Sequence, residues 1–184
     1  MEDNSHSIEQ PKQWYVLRDF KKRNAKSPGY KLLSELGIRS FTPMHWVVST
    51  RLGKRIREYV PVIQSLLFAY DTKETLDPII EKDSALQFQY RRSAGKNYFM
   101  TVPDAEMERF IHAVNNDPSP IYFTPEELTP DKIGQRITVN GGPLNGYTGV
   151  LLKMRGTRKR RLLVKIEGFL AAAIEVNPEY VQLV

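Results

Sequence analysis

Apolar positions along the first two thirds of the chain switch between two periods. Trp14-Tyr15-Val16-Leu17 is a short apolar run suited to a buried strand. Ser27-Pro28 predicts a helix start, with serine as N-cap and proline at the first helical position. Tyr30, Leu33 and Gly37 mark one side of that helix, Leu32 and Leu36 sit four apart, and Gly37 is the expected stop. Arg39 to Ser49 reads as extended, and Arg51-Leu-Gly-Lys-Arg-Ile-Arg57 as an exposed hairpin tip. Tyr59 to Tyr70 is the most strand-like segment. Thr72 to Asp83 predicts a helix broken or kinked at Pro78, and Leu86 to Tyr90 alternates as a half-buried strand does. Tyr98 to Val102 is a further strand. From Pro103 to Asn115, Met107, Phe110, Ile111 and Val114 fall at helical spacing, with Asp104 and Glu106 in the first turn.

The last third has no helical period. Arg136–Val139, Gly149–Leu152, Arg161–Ile166, Ala172–Val176 and Tyr180–Val184 read as five short strands, with a turn cluster GGPLNGYTG at 141–149. Five strands in so short a stretch predict a small barrel, because closure removes exposed edges. Between the two patterns, Pro118, Pro120, Pro125 and Pro130 predict a stiff, extended linker. The expected organisation is a first domain at 12–117, a linker at 118–130 and a second domain at 131–184. Strands and helices mix without strict βαβ alternation, so the fold class is α+β with a mainly antiparallel sheet.

Composition adds exclusions. Of 184 residues, 41% are apolar and 26% charged, as in globular chains. No apolar run approaches the ~20 residues of a membrane helix, and Met1 to Gln13 lacks the apolar stretch of a secretory signal. A cytoplasmic location is expected. The absence of cysteine removes disulfides, thiol nucleophiles and cysteine-ligated metals. His6, His45 and His112 are far apart, and no paired-carboxylate motif stands out, so neither a metal, a cofactor nor an enzymatic activity is expected.

Charge points to a polyanion. The net charge is +6, and residues 130–184 hold nine basic and four acidic residues against 18 and 15 in residues 1–117. Nucleic acid is a natural partner for the more basic C-terminal third. Between Lys153 and Lys165 there are seven bases and no acid. Arg158, Lys159, Arg160 and Arg161 follow Gly156-Thr157, where a hairpin tip could reach phosphates or simply keep an edge solvated. Arg51, Lys54, Arg55 and Arg57 form a second basic tip with the same two readings. GGPLNG lacks the Gly-Lys-Ser/Thr and the following helix of a phosphate loop, so it is a turn.

Two stretches carry a resemblance. Trp14-Tyr15-Val16, the long hairpin leading into Tyr59–Tyr70, and the helix after Val102 resemble the N-terminal (NGN) domain of NusG-type transcription factors. Val139-Asn-Gly-Gly-Pro-Leu-Asn-Gly-Tyr-Thr-Gly-Val150 resembles the KOW motif that opens their SH3-like barrel. The chain looks more like a specialised paralogue, of the RfaH-like or capsule-operon antiterminator type. Where many members read Phe-Pro-Gly-Tyr, it has Ile63-Gln64-Ser65-Leu66; near the barrel loop where some show Ile-Phe-Gly-Arg, it has Ile166-Glu167-Gly168-Phe169.

The resemblance implies a monomeric transcription elongation or antitermination factor. Its N-terminal domain would grip the clamp helices of RNA polymerase through Ile63, Leu66 and Phe68, favouring the closed, unpaused state. Alternation puts Leu66 and Phe68 on one face and Leu67 on the other, so at least one set is core. The resemblance places the hairpin at 51–57 near upstream or non-template DNA. The barrel would meet ribosomal protein S10, Rho or nascent RNA, with Leu144, Ile166 and Phe169 as contact residues; Leu144 could equally pack inside the barrel. The other reading is a ribosome-associated or RNA-binding KOW protein that does not touch polymerase.

Overall fold

The computed structural model describes residues 11–22, 25–154, 156 and 159–184. They separate into two compact units that divide between Pro103 and Asp104.

In chain order the first unit comprises β1 (Gln13–Asp19), α1 (Gly29–Glu35), β2 (Arg39–Phe41), β3 (Met44–Arg51), β4 (Lys54–Pro61), β5 (Leu66–Asp71), α2 (Lys73–Lys82), β6 (Leu86–Phe88), β7 (Tyr90–Ser93), β8 (Lys96–Phe99) and β9 (Thr101–Val102). The sheet is antiparallel, ordered β2-β5-β1-β6, with β9 also on β1. β1 buries the whole run Trp14–Leu17, side chains of both faces of the sheet, which is why its sequence is continuously apolar rather than alternating. On one face Tyr15, Leu17, Leu67 and Ala69 pack with Leu33 of α1, Leu76 of α2, Leu86 and Phe88.

Several local expectations change. The strand-like segment Tyr59–Tyr70 is two strands, β4 and β5, separated at residues 62–65, where the Leu66 N–H bonds back to the Ile63 carbonyl. Ser27 does not cap α1. The buried Asp19 carboxylate does so from the end of β1, accepting from the Gly29 N–H at 2.5 Å and the Lys21 N–H at 3.0 Å. α2 starts where Thr72 accepts from the Thr75 N–H and runs through Pro78 without a break.

Two hairpins stand outside this sheet, β3–β4 and β7–β8, each a separate two-stranded ladder. The first turns through Leu52 and Gly53, both at positive φ (49° and 74°). That is the signature of a type I′ turn, whose twist matches the strands it joins and whose second position suits glycine.

The second unit comprises α3 (Asp104–Asn115), β10 (Ile121–Phe123), β11 (Ile133–Val139), β12 (Thr148–Leu152), β13 (Arg160–Ile166), β14 (Leu170–Val176) and β15 (Val181–Leu183). Its six strands form one antiparallel sheet, β10-β14-β13-β12-β11-β15. The helix expected to close the first domain packs here, along β13 and β14. Glu106 accepts from the Glu167 N–H at 2.6 Å, Arg109 donates to the Thr148 carbonyl at 2.6 Å, and the Tyr147 hydroxyl donates to the Arg109 carbonyl at 2.9 Å.

The proline-rich stretch is not a free tether in this structure. Ile121, Tyr122 and Phe123 pair with Ala173, Ala172 and Ala171 of β14, and Ile121, Phe123 and Leu128 pack on the core of this unit. The flanking prolines suit an edge strand, which needs donors on one side only. In the KOW-like segment Gly149 lies against β13. A Cβ there would stand 2.8 Å from Leu162 Cδ1 and 3.1 Å from the Leu163 carbonyl oxygen, so the close approach of β12 to β13 requires glycine.

Candidate nucleic-acid interface

The basic hairpin expected at 51–57 is present, and Arg51, Lys54, Arg55 and Arg57 are all exposed at its end. Its register is Trp46↔Tyr59, Val48↔Arg57, Thr50↔Arg55 and Arg51↔Lys54. Directly opposed residues of an antiparallel pair share a face. One face therefore carries Trp46, Val48, Thr50, Arg55, Arg57 and Tyr59, and no acid or side-chain amide. The opposite face holds Glu58, which accepts from the Ser49 hydroxyl at 2.7 Å. On the first face Trp46 is 56% exposed, Tyr59 52% and Val48 71%. The Trp46 and Tyr59 rings lie 5.0 Å apart, and the Arg57 guanidinium sits 4.4 Å over Trp46.

At the root of this hairpin Tyr59 also lines a cavity of about 170 Å³ with Lys22, Tyr30, Lys31 and Thr42. Burial, reinforced by the Asp19 carboxylate, raises the Tyr30 hydroxyl above the ordinary tyrosine range.

The residues expected to meet polymerase lie elsewhere. Ile63 is half-buried in the turn before β5. Leu66 is 8% exposed and Phe68 fully buried, so these two do not form an open patch. Both faces of β5 are interior, because Leu67 and Ala69 on the other side join the core.

The second basic cluster is not a single tip. Arg158 lies outside the described residues. Arg160 and Arg161 belong to β13, and Arg160 is exposed. Arg161 is buried, against the expectation that it meets nucleic acid. Its Nη1 donates to Asp117 Oδ2 at 3.2 Å and to the carbonyls of Ser119 and Ala173 at 3.3 and 3.1 Å. Lys159 pairs with Glu175 at 2.7 Å. Of the residues expected to meet a barrel partner, Leu144 and Ile166 are buried and Phe169 half-buried. Leu144 therefore takes the interior reading.

The sequence pattern did not single out Trp46 and Tyr59, nor Arg91, Arg92 and Lys96, which are exposed on β7–β8. For the first pair the signal is the alternation in Trp46-Val-Val-Ser-Thr50 against Arg55-Ile-Arg-Glu-Tyr59, which separates an aromatic-basic face from one holding Glu58. His112 is not isolated. Its ring stacks on Tyr147 at 5.8 Å, with Nδ1 2.9 Å from the tyrosine hydroxyl. Among the described residues no group of three or more His, Asp or Glu side chains is placed to hold a metal ion. No described helix is long and apolar enough to cross a membrane.

The first unit is an antiparallel α+β fold with two hairpins outside its sheet, and the second unit is a β-rich fold with one helix; comparison with known families gives the class. Residues 12–111, more than half of the chain, match the NusG family, described as transcription termination factor nusG. The chain belongs to this family of non-enzymatic transcription factors. A solved structure described as "Domain interaction in Thermotoga maritima NusG" is 14% identical, with a TM-score of 0.43, over 94% of this chain and 97% of the other. No curated protein matches the sequence.

Proposed function

We propose that this chain is a transcription elongation and antitermination factor that binds RNA polymerase through its N-terminal domain and acts on specific operons, as RfaH-like and capsule-operon paralogues do. The observation that carries the reading is the family match over residues 12–111, which includes the sheet, both hairpins and most of α3. Binding the closed polymerase clamp more tightly than the open one would shift the population toward the unpaused state without any chemistry. Ile63, half-buried at the turn into β5, is the first candidate contact. Leu66 and Phe68 contribute once the interior side of β5 is uncovered. The basic end of β3–β4 contacts nucleic acid near the polymerase, and Phe169 is the candidate partner contact of the KOW-like unit, with nascent RNA, ribosomal protein S10 or Rho as the partner.

The test is binding of the full chain to purified core RNA polymerase, followed by single-round transcription across a terminator. Co-elution with polymerase and increased read-through are expected. A chain that stays folded yet neither co-elutes nor changes read-through overturns the reading.

A further inference from the structure

We propose that β10 is a strap over a self-pairing edge of the second unit. While it lies on β14 the chain is a monomer, and when it lifts two copies join through their β14 strands. The inference stands on the second unit alone and is independent of polymerase binding.

β14 would end its sheet if β10 were absent. All of Leu170–Val176 pairs with β13, whereas only Ala171, Ala172 and Ala173 pair with β10. Uncovered, the outer side of β14 would be a row of unpaired backbone donors and acceptors, a template for another strand. Its sequence decides which strand. Phe169-Leu-Ala-Ala-Ala-Ile174 is apolar throughout, with no charge, proline or glycine, and Glu167 and Glu175 stand only outside it. Such segments pair with copies of themselves. No charge along the run selects a foreign partner, and an antiparallel edge meets its own copy about a two-fold axis with the same surface on both sides. The occupant of the open edge is therefore a second copy of this chain.

β10 removes that edge and offers little in its place. It is only Ile121–Phe123, preceded by Pro120 and followed by Thr124-Pro125, and proline has no donor for a further strand. Ile121 and Phe123 turn inward onto the core that holds Ala171 and Ala173. Side chains fasten both ends. Upstream, the Glu175 N–H, on β14 beyond the paired stretch, donates to Asp117 Oδ2 at 2.8 Å, and Arg161 Nη1 donates to the carbonyls of Ala173 and Ser119 at 3.1 and 3.3 Å. Downstream, Lys132 Nζ donates to the Glu127 carbonyl at 2.6 Å and stands 5.8 Å over the Phe123 ring. A short ladder pinned by side chains is a strap that can lift, while the longer β13–β14 ladder stays intact.

The test compares the full chain with the double variant Ile121→Asp/Phe123→Asp, which removes the two inward side chains and leaves β14 untouched. Mass is measured by light scattering after size exclusion across a range of concentrations, and strand content by circular dichroism. The parent should be a monomer throughout. The double variant should keep its strand signal and shift with concentration to twice the parent's mass. A synthetic peptide of residues 117–128, added to the variant, should refill the edge and return it to one chain per particle. The same peptide carrying both aspartates should have no effect, and the parent should not bind the unaltered peptide.

A double variant that stays folded and monomeric overturns the proposal. Loss of strand signal that the peptide does not restore also overturns it, since β10 would then be a strand the fold requires. So does a parent that is already dimeric, or an association of the variant that the peptide leaves intact.

Discussion

Asp117 and Arg161, 44 positions apart, meet as a buried ion pair at 3.2 Å. The carboxylate also accepts from the Ser119 N–H at 2.8 Å and, through Oδ2, from the Glu175 N–H at 2.8 Å. The guanidinium spends its other bonds on the carbonyls of Ser119 and Ala173. The pair thus ties the end of the α3 connection to β13 and β14, and Arg161 is a structural residue.

Removing one partner strands a buried charge, which costs about 3–5 kcal/mol. Arg161→Ala and Asp117→Ala should each lower the chemical-denaturation midpoint strongly. Arg160→Glu, on the exposed side of the same strand, should leave it nearly unchanged. If Arg161→Ala is as stable as the parent, the side chain is not buried as described.

Gly149→Val should destabilise the second unit by about 1–3 kcal/mol, the usual range for forcing atoms into a packed site. The added atoms meet Leu162 and the β13 backbone, and a carbonyl oxygen cannot move aside as a side-chain end can. Thermal melting should show the loss, with the emission of buried Trp14 in the first unit as a control.

Leu52 holds φ +49° at a turn position where a branched aliphatic side chain is disfavoured. Asparagine tolerates this backbone far better. Leu52→Asn should therefore raise stability, by up to about 1 kcal/mol. Destabilisation instead would show that the exposed leucine makes a stabilising contact.

The two apolar candidates for polymerase contact should separate cleanly. Leu66→Glu puts an unpaired carboxylate in the interior and should cost several kcal/mol, lowering the melting temperature of the first unit. Ile63→Glu, at a half-buried turn position, should leave melting nearly unchanged and weaken co-elution with core polymerase. A well-folded Leu66→Glu chain would mean that this side of β5 opens readily.

Elements set by short-range pattern were legible from the residues. The period of Met107, Phe110 and Val114 gave α3, Gly53 among the bases of 51–57 gave the hairpin tip, and Gly37 ended α1. What escaped depended on partners distant in sequence. Asp19 caps α1 from another element, so the nearby Ser27 was the misleading signal. Arg158-Lys-Arg-Arg161 looked uniform because composition does not show that one member alternates inward toward Asp117. The proline spacing hid Ile121-Tyr122-Phe123, an apolar triplet that β14 accepts because its facing residues are alanines. The polymerase and nucleic-acid readings came chiefly from resemblance, and Trp46 and Tyr59 emerged only once the strand register put them side by side.

The tip of the β3–β4 hairpin has one further use. Leu52 is 98% exposed and the chain contains no cysteine. Leu52→Cys would create a unique thiol at the outermost point of that arm, with no competing sulfhydryl to protect or remove. A spin label or fluorophore placed there becomes a reporter on the arm itself, so its tumbling and its distance from a labelled nucleic acid can be followed in the otherwise unaltered chain.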